Sequence, residues 1–117
     1  MQVRPTTAFV HLPALTANLS AIRTCLRPGT RIWAAVKGDA YGHGALRAVA
    51  ALEQVGCDGF AVALVEEGIR LREAGIKAPI LCLGGIQREG AAEALAFQLT
   101  PVVFDLADAE QLEKEAR

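Results

Sequence analysis

The sequence predicts an α/β fold in which parallel strands alternate with helices. Four short apolar runs lack the polar alternation of half-exposed strands, which is typical of a parallel sheet covered by helices. Between these runs, apolar residues recur at the spacing of one helical face. The composition agrees, because 52% hydrophobic and only 5% aromatic residues fit alanine-rich helices packed on an aliphatic sheet.

A strand-like segment, residues 7–11, opens the chain and a helix follows it. The apolar residues of this helix recur at intervals of four, three and four: Leu15, Leu19, Ile22 and Leu26. Pro28 and Gly29 end the pattern. His11 precedes the helix, and its imidazole is a poor N-cap that should weaken this end by under ~2 kcal/mol.

The same strand and helix unit then repeats along the chain. The predicted strands are residues 32–36, 59–64, 79–83 and 101–104. The predicted helices are residues 45–55, 65–74, 88–97 and 106–117. Gly56 and Gly75 mark the ends of two of these helices.

Periodicity alone fits both a (β/α)₈ barrel and an open doubly wound sheet. A dinucleotide fold requires a Gly-x-Gly-x-x-Gly turn after its first strand, and here Gly42 and Gly44 have no third glycine in register. The barrel is therefore favoured, although a complete one takes about 250 residues. We expect residues 1–117 to form the N-terminal half of a TIM-type barrel domain, truncated inside the helix that includes residues 109–117 and without a second domain.

Charge and cysteine content exclude several classes of protein. Twelve Lys and Arg residues nearly balance thirteen Asp and Glu residues, and no basic stripe appears, so nucleic acid is not an expected partner. Residues 1–10 lack the long apolar core of a signal peptide or membrane span, which favours the cytoplasm. The scattered Cys25, Cys57 and Cys82 predict neither disulfides nor a metal site, and are expected to be small buried hydrophobes.

The segment 37–44, Lys-Gly-Asp-Ala-Tyr-Gly-His-Gly, follows directly on the apolar run 32–36. A lysine at the exit of a buried strand lies in a low dielectric, which lowers its pKa and favours the neutral amine that a Schiff-base nucleophile needs. Tyr41 adds a phenol close to this amine. Gly42 and Gly44 let the backbone approach a ligand before the next helix begins.

This segment resembles the cofactor-lysine motif of the alanine racemases, pyridoxal-phosphate enzymes that interconvert L- and D-alanine. The pair Asn18-Leu19 and the stretches 66–75 and 79–85 also look like that family. The resemblance implies that Lys37 holds pyridoxal 5'-phosphate and is a catalytic acid/base on one face of the α-carbon. It also implies that Tyr41 contacts the cofactor phosphate. Leu83, at the end of a predicted strand, either lies against the cofactor ring or packs in the core.

The resemblance further implies a homodimer at full length that supplies D-alanine for cell-wall peptidoglycan. In the family, a tyrosine from the second domain of the partner subunit serves the opposite face of the α-carbon. That tyrosine, and the arginine that faces the pyridine nitrogen, have no counterpart in these 117 residues. We therefore expect the chain by itself to be inactive.

Three alternatives to the alanine racemase hypothesis stay open. The protein could be a non-catalytic pyridoxal-phosphate-binding barrel, a broad-specificity amino-acid racemase, or a non-functional fragment. Tyr41 and the Gly-His-Gly turn favour the racemase over the non-catalytic barrel.

The remaining charged residues near the motif receive structural interpretations. Asp39 is expected to cap the helix that follows it, and His43 to form a local hydrogen bond in the turn. The pairs Glu66-Glu67 and Arg70-Arg72 are interpreted as a solvated helix face, with charge support between Glu66 and Arg70.

Overall fold

Residues 1, 3–87 and 89–117 are described by a computed structural model of the chain. Four strands lie side by side in the order β1-β2-β3-β4, and every neighbouring pair is parallel, as predicted. Helices connect successive strands, which is the pattern of the first half of a TIM-type barrel. The elements in chain order are α1 Leu12–Thr24, β1 Trp33–Ala35, α2 Lys37–Tyr41, α3 Ala45–Gln54, β2 Gly59–Val62, α4 Val65–Glu73, β3 Ile80–Cys82, α5 Ala91–Ala96, β4 Thr100–Pro101 and α6 Leu106–Ala116.

The helices cover one face of the sheet and leave the other face open. Phe60 and Ile80, which are in register, are both fully buried beneath the helix layer. On the open face, the ring of Trp33 lies over Gly59 and stays 40% exposed. A closed barrel encloses this second face and fills it with side chains. The core of the described chain is therefore the layer between the sheet and the helices.

The N-terminal segment differs from the prediction. Residues 7–11 form no strand in the described chain, and His11 is instead the N-cap of α1, without a side-chain hydrogen bond to the helix. The helix ends at Thr24, so Leu26 lies outside it. Of the four apolar residues predicted to form one face of this helix, only Leu19 is buried. Because α1 lies beside the edge strand β1, much of that face has nothing to pack against.

The strands and the later helices are shorter than predicted. The β4 strand covers only Thr100–Pro101, and Val103 beyond it is 46% exposed because β4 has no further neighbour. The α5 helix covers Ala91–Ala96, and its predicted start at Arg88 lies outside the described residues. The edge strand β1, predicted to be buried, alternates between exposed and half-buried residues.

Two of the three cysteines follow the prediction. Cys57 and Cys82 are buried free thiols, whereas Cys25 follows the end of α1 and is exposed, which contradicts its expected burial. Among the described residues, no group of three or more potential ligands is arranged to hold a metal ion. None of the helices in the described part of the chain is long and apolar enough to cross a membrane.

Candidate active site

Lys37 and Leu83 lie at the carboxyl edge of the sheet. Ala35 pairs with Ala61, which pairs with Leu81, so these three residues share one row of the sheet. Lys37 and Leu83 each lie two residues beyond that row, just past the carboxyl ends of β1 and β3. Because β1 and β3 are two strand spacings apart, their backbones are separated by about 10 Å. The structure thus places both residues at one edge, as predicted.

The backbone after Lys37 forms a left-handed turn that the sequence did not reveal. Gly38, Asp39 and Ala40 have φ of 61°, 56° and 54° and ψ of 44°, 45° and 49°. Tyr41 continues the run with φ of 54°. Left-handed backbone costs an L-residue roughly 1–2 kcal/mol, so three consecutive non-glycine residues here need compensating contacts.

Local hydrogen bonds hold the far end of this turn. The carboxylate of Asp39 accepts from the backbone N–H of Ala45, the first residue of α3, at 2.8 Å. This contact confirms the predicted cap. The Nδ1 atom of His43 lies 2.8 Å from the carbonyl oxygen of Ala40, and since a carbonyl only accepts, the ring proton belongs on Nδ1. The predicted local role of His43 is confirmed as well.

The near end of the turn is held by Glu67, from helix α4. Its Oε1 accepts from the backbone N–H of Gly38 at 2.7 Å. Its Oε2 accepts from the backbone N–H groups of Ala63 and Leu64 at 2.7 and 2.9 Å. One carboxylate therefore joins the turn after β1 to the turn after β2, and it does so beside Lys37.

The loop after β3 is joined to the same edge. The backbone N–H of Gly84 donates to the carbonyl oxygen of Ala63 at 2.9 Å. A Cβ atom at position 84 would lie 2.5 Å from that oxygen, so only glycine fits this approach without movement. Three successive strand ends are thus connected through Ala63.

Tyr41 and Leu83 are both exposed. Tyr41 is 64% exposed and borders an apolar cleft of about 550 Å³ between α1, the edge of β1 and residues 9–11. Leu83 is 38% exposed on the open face. The structure brings Lys37 and Tyr41 together on one turn, and it places Leu83 across the sheet from them.

Two groups have surroundings that bear on their reactivity. Lys37 is exposed, so the burial expected to desolvate its amine is not provided by the described residues. Burial raises the pKa of the Cys82 thiol, and the charges of Glu67 and Glu66 raise it further. A protonated thiol is a poor nucleophile, which agrees with the expectation that Cys82 is structural.

The solvated-face interpretation is wrong for two of the four α4 residues to which it was applied. Glu67 is half-buried and binds three backbone N–H groups, while Arg72 is half-buried and donates to backbone carbonyls. A partial signal for Glu67 was present in the sequence. It is the third residue after Leu64, the position from which a glutamate reaches back to the N-cap N–H, although Leu64 lacks the hydroxyl of a complete capping box.

Comparison with known proteins agrees with this arrangement. Residues 10–117 match the family model described as "Alanine racemase, N-terminal domain". The alanine racemase of Sorangium cellulosum is 44% identical over 98% of this chain and 32% of its own length. The chain therefore spans about a third of that relative.

Solved structures give the same result. The alanine racemase of Clostridium difficile 630 superposes with a TM-score of 0.87 at 37% identity, over 90% of this chain and 28% of its own. The Bartonella henselae alanine racemase, solved with covalently bound pyridoxal phosphate, has a TM-score of 0.80 at 28% identity, over 88% of this chain and 29% of its own. Sequence and structure together place this chain in the alanine racemase family, as an N-terminal domain.

Proposed function

We propose that the polypeptide carrying this chain interconverts L- and D-alanine with pyridoxal 5'-phosphate, which Lys37 binds covalently. The observation that carries the proposal is the position of Lys37, two residues after the end of β1 at the carboxyl edge of the sheet. Active sites of (β/α)₈ barrels lie at this edge. We also propose that residues 1–117 form part of one barrel domain.

The side chains at this edge suit the cofactor chemically. Lys37 offers a primary amine that reacts with an aldehyde, and the exposed phenol of Tyr41 offers a donor to a phosphate. Leu83 offers an apolar surface to the ring from the same edge. When bound, pyridoxal phosphate delocalises the electron pair that remains after the α-proton is removed.

Lys37 has a second task in this proposal. With the cofactor and substrate bound, the Nζ of Lys37 would take or return the α-proton on one face of the α-carbon. Racemisation needs a second acid/base on the opposite face. Tyr41 is the only tyrosine among the 117 residues and is assigned to the phosphate, so the second group has to come from outside them. A homodimer, in which a partner subunit provides that group, is part of the proposal.

The pathway, the location and the partners of the protein are inferred from its likeness to the family. A D-alanine product suits peptidoglycan synthesis, and we assign the protein to the cytoplasm on the likeness to the family. The expected small-molecule substrate is alanine, and neither nucleic acid nor a membrane is an expected partner.

Peptide mapping tests the assignment of Lys37. The natural polypeptide, at its full natural length, is incubated with pyridoxal phosphate, reduced with borohydride and digested. We expect the pyridoxyl label on Lys37, and Lys37→Ala to lower racemisation by at least about 10²- to 10⁴-fold. Lys77→Ala is the matched control, because Lys77 is exposed at the amino end of the sheet. Pyridoxyl label spread equally over Lys77 and Lys114 would contradict the proposal.

The same preparation separates the alternatives. A label on Lys37 without conversion of L-alanine to D-alanine indicates the non-catalytic barrel. Equal rates with alanine and larger amino acids indicate a broad-specificity racemase. Residues 1–117 expressed alone are expected to lack racemase activity, because they carry no second acid/base and leave the sheet edges at β1 and β4 unpaired.

A further inference from the structure

We infer that Glu67 is a positioning residue for the Lys37 amine, acting through the backbone N–H of Gly38. The inference rests on the proposed function of Lys37 and adds a residue that touches neither substrate nor cofactor in that proposal. The two carboxylate oxygens of Glu67 have different partners. Oε1 accepts from Gly38 alone, whereas Oε2 accepts from both Ala63 and Leu64.

The bond to Gly38 acts on the peptide unit that joins Lys37 to the left-handed turn. The N–H of Gly38 and the carbonyl group of Lys37 belong to one planar peptide. Fixing this N–H therefore fixes the rotation about the Cα–C bond of Lys37, and with it the direction in which the turn leaves the strand. Backbone bonds from Ala40 to Val36 and from Gly42 to Gly38, at 2.9 and 3.0 Å, and the bond between Asp39 and Ala45 also hold the turn, but Glu67 is the partner of the Gly38 N–H.

The two ends of the turn need separate restraint because its conformation is intrinsically unfavourable. Asp39, Ala40 and Tyr41 all have positive φ, and each would relax toward right-handed backbone if it were released. Relaxation would redirect the residue that begins the turn, which is Lys37. Charge-assisted bonds of 2.7 Å are among the stronger restraints available to a backbone N–H.

Glutamine at position 67 separates the two contacts of this carboxylate. An amide has one accepting oxygen and one donating NH₂ group. Two backbone donors converge on the Oε2 site and one on the Oε1 site, so the amide oxygen is expected to face Ala63 and Leu64. The NH₂ group then faces the N–H of Gly38, and the link to Lys37 is lost while the contact at the start of α4 is kept.

The matched control is Glu53→Ala. The Oε1 atom of Glu53 accepts from the N–H groups of Lys77 and Ala78 at 2.7 and 2.6 Å. This carboxylate has the same chemistry as Glu67, but it lies at the amino end of the sheet, away from Lys37. Its removal reports what the loss of backbone restraint does to stability alone.

The test compares wild type, Glu67→Gln and Glu53→Ala in the natural polypeptide at full length. Without cofactor, amide hydrogen exchange of Gly38 is expected to accelerate at least about 10-fold in Glu67→Gln and to stay unchanged in Glu53→Ala. With pyridoxal phosphate, the rate of borohydride-fixed labelling at Lys37 should fall about 10-fold or more in Glu67→Gln only. The racemisation kcat should fall in parallel, with little change in the KM for alanine.

The outcomes distinguish this inference from the proposed function. If the wild-type protein labels Lys37 and racemises alanine, but Glu67→Gln matches it in Gly38 exchange and in labelling rate, the inference is wrong and the function stands. If Glu53→Ala slows labelling as much as Glu67→Gln, the effect is general destabilisation and the inference is again wrong. If wild type never labels Lys37, the proposed function fails, and the Gly38 exchange still tests the contact itself.

Discussion

The guanidinium of Arg72 donates to the carbonyl oxygen of Ala78 at 2.8 Å, joining the end of α4 to the segment that enters β3. The same group donates to the carbonyl oxygens of Ile76, Phe97 and Gln98 at 2.8, 3.0 and 3.1 Å. A planar fork with five N–H donors is suited to several fixed acceptors at once. One side chain therefore orders the entrances to both β3 and β4.

Replacement of Arg72 by alanine is expected to destabilise the fold by about 2–4 kcal/mol, because it leaves four backbone carbonyls without this partner. Arg72→Lys should recover only part of the loss, since an ammonium cannot reproduce the fork. Urea unfolding of the full natural polypeptide measures both changes. Arg70→Ala, an exposed arginine on the same helix, is the control and should stay within about 0.5 kcal/mol of wild type. Equal losses of stability in Arg70→Ala and Arg72→Ala would contradict the role of Arg72 in ordering the entrances to β3 and β4.

Alanine at position 38 should be tolerated at a small cost. Gly38 has φ of 61°, and a Cβ atom there would meet nothing within 4 Å, so the cost is confined to the backbone. We expect Gly38→Ala to lower the free energy of unfolding by roughly 1–2 kcal/mol and to leave the labelling of Lys37 by pyridoxal phosphate in place. Loss of the label in a folded variant would show that the turn needs glycine for function.

Alanine at position 84 should be less well tolerated, for a steric reason. The new Cβ atom would lie 2.5 Å from the carbonyl oxygen of Ala63, which is backbone held in the sheet edge. We expect Gly84→Ala to cost about 1–3 kcal/mol, and amide exchange at Leu64 to accelerate because the neighbouring loop has to move. Gly90→Ala is the control, since its Cβ atom would make only ordinary contacts, the nearest at 3.5 Å. Wild-type stability in Gly84→Ala would contradict the close approach.

The sequence was sufficient for those features that depend on side-chain periodicity. Parallel β1–β4, and Lys37 with Leu83 at one edge, follow from apolar runs alternating with helices. The left-handed turn was not predictable, because the backbone handedness of Asp39 to Tyr41 does not change the spacing of apolar residues along the sequence. Glu67 and Arg72 were misread for a related reason. Their partners are backbone groups brought close only by the tertiary fold, and a helix-surface pattern carries no information about them.

Asp58 gives a pH-dependent contribution to stability. Its Oδ2 accepts from the backbone N–H of Ile32 at 2.7 Å and lies 3.3 Å from Nη2 of Arg23. The Ile32 hydrogen bond is the main reason that the pKa of Asp58 lies below its usual value; burial opposes this shift, and the charges of Arg23 and Arg31 add to it. The folded state therefore binds this proton less readily than the unfolded chain does. The stabilisation is fully present above the unfolded pKa of about 3.9, and it is lost as the pH falls through the folded pKa.

Replacement of Asp58 by asparagine is expected to remove this dependence while keeping an acceptor for Ile32. The wild-type protein should be more stable than Asp58→Asn near neutral pH, and the difference should shrink below about pH 4 as the wild-type carboxylate is protonated. Free energies of urea unfolding, measured for both proteins across this range, give the difference directly. Glu110→Gln, which alters an exposed carboxylate on α6, should show no comparable pH dependence. If the difference in the free energy of unfolding between wild type and Asp58→Asn widened on acidification, the prediction would be wrong. That result would mean that folding raises the pKa of Asp58.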